Sequence, residues 1–263
     1  MLDQITPLIL TYNEAPNIAR SLAALSWAKD IVVVDSFSDD NTVELAKTFP
    51  QVRVFSRAFD CHRNQWDFGL KETEISTPWV LALDADYVLS DELVAELADL
   101  TPENNTAGYR ASFVYCINGK KLRSGIYPPV TVLYRRGAAT YVQDGHTQRV
   151  VLEGAIKDLH APIFHDDRKS LKRWFRSQAK YTELEAQKLR AADPAQLAFA
   201  DRLRRWRFVV PPVMLVYCLF VRGGILDGRA GFYYAFQRAM AEAMLSHRLN
   251  GPKTDQNGSA CTS

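Results

Sequence analysis

A chain of 263 residues can form one large α/β domain or a domain with an appendage, and 47% hydrophobic residues allow a substantial core. A formal net charge of +2 excludes a generally basic nucleic-acid binder, so no nucleic-acid partner is expected. Cys61, Cys116, Cys218 and Cys261 are scattered without a CxxC pair, so neither a zinc site nor a disulfide framework is expected, and a reducing cytosol fits.

At the N-terminus no basic-then-apolar leader is visible, and Asp3-Gln4 runs straight into Ile5–Thr11, which reads as a buried strand. Tyr12-Asn13-Glu14 is a polar loop, and Pro16 suits the first turn of a helix ending near Leu25. Ile31–Asp35 is a β-branched run closed by an acid, the pattern of a buried parallel strand. Ser36–Thr42 supplies a helix cap, Val43–Phe49 continues as helix, and Val52–Phe55 is a third strand. Asn64–Leu70 reads as helical. Pro78 then interrupts the chain before Trp79-Val80-Leu81-Ala82-Leu83-Asp84-Ala85-Asp86, a fourth strand that ends in two carboxylates. Strands alternating with helices at this spacing predict βαβ units and a mostly parallel sheet.

Ligands of such sheets sit beyond the carboxyl ends of the strands. Asp84 and Asp86, two apart in an extended segment, point the same way. Paired hard oxygens suit Mg²⁺ or Mn²⁺ carrying a phosphorylated substrate. The competing reading is a strand followed by an Asp-rich turn, and on this stretch alone the two weigh the same.

Ser90–Leu100 is a further helix, after which the rhythm changes. Tyr109–Ile117 alternates weakly, Asn118-Gly119 is a hairpin signal, and Thr131–Tyr134 reads as a strand. Ala139–Val142 and Arg149–Leu152 are strand-like on either side of Gly145-His146-Thr147-Gln148. Ala155–Phe164 reads as one more strand, ending at His165-Asp166-Asp167. These segments predict a mixed or antiparallel extension closing one side of a cleft.

Ser170–Ala191 is a long polar helix with Trp174, Phe175, Tyr181 and Leu184 as apolar anchors. A basic stretch, Arg202-Leu203-Arg204-Arg205-Trp206-Arg207, precedes the almost wholly apolar Phe208–Val221, which Pro211-Pro212 interrupts. Fourteen such residues are too few to cross a bilayer as a helix. Gly231–Leu249 reads as an amphipathic helix with Phe232, Phe236, Met240 and Met244 along one side, and Gly251–Ser263 as a disordered tail.

Leu10-Thr11-Tyr12-Asn13-Glu14 after strand one, Asp35 after strand two and Asp84-Ala85-Asp86 after strand four form an ordered set that resembles the family 2 glycosyltransferases of the GT-A fold. Asp35–Thr42 and His62-Arg63-Asn64-Gln65 extend the match over about residues 5–165. Gly145-His146-Thr147-Gln148, His165–Ser170 and Gly223–Gly228 are similar to bacterial enzymes that add a sugar to the lipopolysaccharide inner core, β-1,4-glucosyltransferases among them. The resemblance implies a Rossmann-like mixed sheet flanked by helices. The catalytic domain covers 1–168, with a donor half to about 100 and an acceptor half after it, followed by a helical, membrane-associating extension at 169–250.

It further implies an inverting transfer from a nucleotide sugar, with UDP-glucose favoured, to a lipid-linked saccharide. Thr11, Tyr12, Glu14, Asp35 and Arg63 would hold the nucleotide, and Asp84 would sit near the ribose. Asp86 would bind Mg²⁺ or Mn²⁺ with His165, for which His160 and His146 compete. Asp144 would be the base, although the usual Glu-Asp pair is here Gln143-Asp144. The expected setting is cytoplasmic and peripheral on the inner face of the cell membrane, against anionic lipid, with self-association left open. Two other readings stand beside this one. A sugar-nucleotide pyrophosphorylase would place a Gly-rich loop where Thr11–Pro16 stands, and a non-catalytic membrane-surface scaffold would keep the fold without activity.

Overall fold

The computed structural model describes residues 1–144, 147–193, 197, 199–204 and 206–251. Eight elements run β1 (Ile5–Thr11), α1 (Ile18–Ala23), β2 (Ile31–Asp35), α2 (Thr42–Lys47), β3 (Val52–Ser56), α3 (His62–Lys71), β4 (Trp79–Asp84) and β5 (Tyr87–Leu89). The chain continues through α4 (Asp91–Asp99), β6 (Thr106–Ala111), β7 (Phe113–Ile117), β8 (Lys120–Lys121), β9 (Val130–Arg135), β10 (Ala139–Asp144) and β11 (Thr147–Leu152). It ends with β12 (Ala155–Asp158), β13 (Ile163–His165), α5 (Leu171–Ala191), α6 (Phe199–Arg204), α7 (Val210–Val216) and α8 (Arg229–Asn250).

Seven strands form the main sheet in the order β12-β6-β9-β4-β1-β2-β3. β4, β1, β2 and β3 are parallel, whereas β9 runs antiparallel between β4 and β6. Residues of alternate parity feed two cores. Ile5, Ile9, Val33, Leu81 and Leu83 pack with Ile18 and Leu22 of α1 and Leu93 and Leu97 of α4. On the other face Leu8, Val32, Val34, Val80 and Ala82 meet Trp66 and Leu70 of α3 and Tyr141 of β10. A mixed sheet covered by helices is the predicted fold class, and it stands.

Two expected strands are each divided between sheets. The segment read as Tyr109–Ile117 breaks at Ser112 into β6, in the main sheet, and β7, in a four-stranded sheet ordered β5-β13-β7-β8. The segment read as Ala155–Phe164 breaks in the same way: β12 pairs parallel with β6, and β13 pairs parallel with β7. Asn118 (φ 49°) and Gly119 (φ 81°) form the predicted tight hairpin between β7 and β8.

Pro211 and Pro212 start a helix rather than breaking one. They lie in the first turn of α7, where a missing N–H costs nothing. The chain then makes one π-helical turn, closed by Arg222 N–H donating to Tyr217 O at 2.9 Å. Cys116 and Cys218 are buried free thiols. The expected tail falls, from residue 252 on, outside the described residues.

The segment Gly223–Gly228 is a dock for the C-terminal helices. A Cβ on Gly231 would stand 2.0 Å from Gly224 O, and one on Gly224 would stand 2.7 Å from Cys218 O, so both positions require glycine for backbone approach. Asp227 Oδ2 accepts from Arg123 N (3.0 Å), Ser124 N (3.0 Å) and Ser124 Oγ (2.8 Å), and Lys120 Nζ donates to Asp227 O at 2.7 Å. Burial opposes the charge, but these donors outweigh it and lower the carboxyl below its ordinary value of 3.8. Asp227→Ala leaves three donors unpaired and should cost about 1–3 kcal/mol in denaturant melts at pH 7. The wild-type contribution is present above the unfolded value and is lost only as pH falls through the lower folded one, so the gap between the two proteins should close below that point.

Candidate active site

Strand register brings the predicted donor residues to one edge. Thr11 pairs with Asp35 across β1 and β2, and Leu10 pairs with Asp84 across β1 and β4. The loops after these strands are locked together: Asn13 N–H donates to Ser38 Oγ (2.7 Å), Asp39 N–H to Asn13 Oδ1 (2.8 Å) and Glu14 N–H to Thr42 Oγ1 (2.6 Å). Asn13 and Phe37 both hold positive φ, 57° and 59°, and Phe37 is 62% exposed. An aromatic residue held left-handed and in solvent beside this edge is a strained position of the kind found at ligand sites.

Each sequence-predicted donor residue can now be located. Thr11 Oγ1 is buried without a partner, as is Arg63 Nε in the first turn of α3. Asp35 is buried, and its carboxylate accepts from Ser38 N (2.8 Å) and Ser38 Oγ (2.5 Å), which fixes the loop after β2. Tyr12 is exposed, with the Arg173 guanidinium 5.9 Å from its ring centre and Arg173 Nη2 donating to its carbonyl at 2.5 Å. Asp84 lies open to cleft water at the end of β4. Enclosure by the surrounding protein, then the charge of Asp86, push its carboxyl up to about 6 against the pull of His165 and Lys169.

Asp86 is in a turn rather than on an extended strand. Ser21 Oγ donates to Ala85 O (2.7 Å) and Asp166 N–H to Asp86 O (3.1 Å), so the turn is clamped from both sides. Asp86 Oδ2 meets His165 Nε2 at 3.3 Å and Lys169 Nζ at 3.8 Å. Burial would raise the Asp86 carboxyl, but these two cations hold it well below the carboxylate range. Burial would likewise lower His165, and Asp86 lifts it above its ordinary value instead. The imidazole sits in an aromatic box, with ring centres of Tyr87, Tyr115 and Tyr127 at 5.3, 4.8 and 5.0 Å. Its Nδ1 is buried without a partner.

Of the competing histidines, His160 is at the surface and binds Glu96 Oε1 at 2.9 Å, while His146 lies outside the described residues. Asp144 closes β10 in register with Thr147; its side chain is outside the described residues. Two further acids of the segment after β11 are engaged in ion pairs. Asp158 pairs with Arg110 (2.7 Å), and Asp166 pairs with Arg20 and Arg168, each at 2.8 Å.

Lys169 is absent from the sequence-predicted set. Its ammonium lies 2.7 Å from Glu14 Oε1, 3.5 Å from Asp167 Oδ1 and 3.8 Å from Asp86 Oδ2. Glu14 therefore turns inward to this ion cluster, where Asn17 Nδ2 also donates to it at 2.8 Å, rather than facing an open base pocket. Burial would lower the lysine, but three carboxylates hold it well above its usual range, and burial pushes Glu14 up to about 7 against the pull of Lys169. The stretch His165–Ser170 is recognisable in sequence, but no spacing rule assigns its lysine to acids more than eighty residues away.

Asp86 and His165 suit a divalent cation. Their 3.3 Å separation is close to the roughly 3.0 Å edge of an octahedron with 2.1 Å bonds. Among the described residues no three His, Cys, Asp or Glu side chains form a metal site. The remaining positions would fall to phosphate oxygens and water, as is usual for Mg²⁺.

A mixed sheet whose strand ends gather Thr11, Asp35, Asp84 and Asp86 beside a histidine is the GT-A class of architecture. The chain belongs to glycosyl transferase family 2, whose profile matches residues 8–150. An uncharacterized glycosyltransferase of Rickettsia prowazekii is 33% identical over 111 residues, 42% of this chain but only 37% of that protein's length. The lipopolysaccharide core biosynthesis glycosyltransferase LpsC of Rhizobium meliloti is 25% identical over 95% of this chain and 96% of its own. The crystal structure of S. aureus TarS 1-349 in complex with UDP-GlcNAc superposes with a TM-score of 0.50 at 15% identity, covering 93% of this chain and 89% of that one, a likeness of fold.

Lys169→Met removes the one ammonium shared by Glu14, Asp86 and Asp167. Loss of the buried counter-charge should destabilise the protein by about 3 kcal/mol at pH 8. Without the pull of Lys169 the Glu14 carboxyl rises further above its value of about 7, so the variant takes up a proton before wild type does. The deficit should therefore shrink as pH falls towards about 7 and change little on this account below it. Thermal melts of both proteins from pH 8 to pH 5 measure it.

Proposed function

We propose that this protein is an inverting, metal-assisted glycosyltransferase moving a hexose from a UDP-sugar to a lipid-linked saccharide of the lipopolysaccharide-core type. The observation that carries the reading is the convergence of Asp86 and His165 beside Asp84, at the strand edge that also holds Thr11 and Asp35. Likeness to LpsC over nearly the whole of both chains favours the acceptor class.

In this reading Thr11, Arg63 and the loop after β2 hold the nucleotide. Arg63 offers a planar five-donor fork for base or phosphate. Asp86 and His165 would hold a divalent cation, which would supply positive charge for the departing diphosphate. Lys169 and Arg173 add fixed positive charge on the same side. Asp144 takes the proton from the acceptor hydroxyl as its oxygen bonds to the anomeric carbon and the bond to the diphosphate breaks. A positioned carboxylate of this kind contributes typically 10²–10⁴-fold.

Nucleoside-diphosphate release from a panel of sugar nucleotides, with and without Mg²⁺ or Mn²⁺, tests the reading directly, since a non-catalytic scaffold releases none. Asp144→Asn should bind UDP as wild type does and transfer sugar at least about a hundredfold more slowly. Near wild-type transfer would make Asp144 a turn residue only. Asp86→Ala should abolish the metal dependence of UDP binding.

The same reading places the protein on the cytoplasmic face of a membrane. No helix among the described residues is long and apolar enough to cross one. Trp206, Phe208, Val213, Phe220, Val221 and Leu226 nevertheless expose 56–71% of their surface within the C-terminal segment. Of the basic cluster, Arg204 turns inward to Glu242 (3.1 Å), Asp201 (3.0 Å) and Glu185 (3.6 Å), Arg202 is exposed, and Arg205 lies outside the described residues. With Arg204 withdrawn, the exposed apolar side chains carry most of the binding in this reading, in the manner of a helix lying in the interface. The protein should float with anionic vesicles even at about 0.5 M salt, where charges are screened within several ångströms. Phe220→Asp combined with Leu226→Asp should leave it at the bottom of the gradient.

A further inference from the structure

A cavity of about 130 Å³ lies beside Lys169. Its walls are Tyr115 of β7, Asn118 of the β7–β8 turn, Asp167, Trp174 of α5, and Tyr233 and Gln237 of α8. We propose that this cavity is the acceptor subsite, taking one pyranose ring of the saccharide that receives the sugar; the assignment rests on the glycosyltransferase reading above.

Position is the first argument. The Tyr115 ring centre is 4.8 Å from that of His165, and Lys169, which lines the cavity, reaches Asp86 at 3.8 Å. The cavity therefore adjoins the cation pair, yet no residue of the loops after β1, β2 or β4 lines it. A ring in this cavity would therefore lie beside Asp86 and His165 without occupying the strand ends where the donor is placed.

Chemistry is the second. A pyranose presents axial C–H groups on its faces and hydroxyls around its rim. Trp174, Tyr115 and Tyr233 offer aromatic faces, and Asn118, Gln237 and Asp167 offer donors and acceptors in different directions. Asp167 is held in place, its Oδ1 accepting from Asn17 Nδ2 (3.1 Å) and Lys169 N (3.0 Å). The cavity is open to solvent on one side, so a ring need not be enclosed within its 130 Å³.

The third argument is access. Tyr233 is 42% exposed, on the same stretch of α8 as the exposed Phe232 and Phe236. A saccharide carried on lipid would enter from this apolar side, with its anchor left outside and its terminal ring inside.

Saturation-transfer NMR of the full-length protein with the methyl glycosides of glucose, galactose, mannose and a heptose, at millimolar concentration, tests the subsite. Transfer to the ring C–H protons of at least one glycoside is expected, undiminished by UDP. Gln237→Ala and Trp174→Leu should each weaken that glycoside about tenfold, with UDP affinity, measured by calorimetry, within about twofold of wild type. No transfer to any glycoside in the wild-type protein overturns the subsite, as does unchanged glycoside binding in both variants or an equal loss of UDP binding. Nucleoside-diphosphate release by the wild-type protein judges the transferase reading separately. Release without glycoside binding keeps that reading and removes the subsite, and glycoside binding without release keeps a sugar pocket and removes the transferase.

Discussion

The ammonium of Lys169 sits among three carboxylates drawn from separate parts of the chain: Glu14 after β1, Asp86 after β4 and Asp167 before α5. Buried acids this close repel one another unless a cation stands between them. That requirement ties the start of α5 to the floor of the donor edge, where Ser170 Oγ caps the helix by accepting from Arg173 N–H. The rest of α5 is then carried across the cleft. Arg173 lies over Tyr12, and Lys180 lies 4.9 Å from the Phe59 ring centre. α5 thus packs against the loops after β1 and β3.

The same geometry makes α5 a partition. On one side it faces the loops after β1 and β3; on the other Trp174 contributes to the cavity shared with α8. α5 and α8 are packed together by Ala186, Leu189 and Leu245, and by Arg248 Nε donating to Thr182 Oγ1 at 3.0 Å. Substitutions on the α8 side can therefore reshape the second cavity while leaving the strand edge and its acids in place.

The first four strands were legible because buried parallel strands are continuous apolar runs, and here three of them end in Thr11, Asp35 or Asp84. The segment from 106 to 165 was less so. A period of two says which face a residue takes, but it carries no mark of where a strand leaves one sheet for another, as happens at Ser112 and between Asp158 and Ile163. Pro211-Pro212 reads in sequence as an interruption, yet a proline pair is equally at home in a first helical turn, and here α7 continues beyond it. Long-range charge pairing was illegible throughout. Nothing local to Arg204 announces Glu242, just as nothing local to Lys169 announces Glu14.

Asp84 closes a strand of the seven-stranded sheet, and β5, three residues later, belongs to the four-stranded one. Asp86 therefore stands on the seam between two sheets, with Ala85 and itself as the whole of the connection. His165, its partner, ends a strand of the smaller sheet. The spacing of the Asp84 and Asp86 carboxylates is therefore set by how two sheets meet, and not by the register of a single strand.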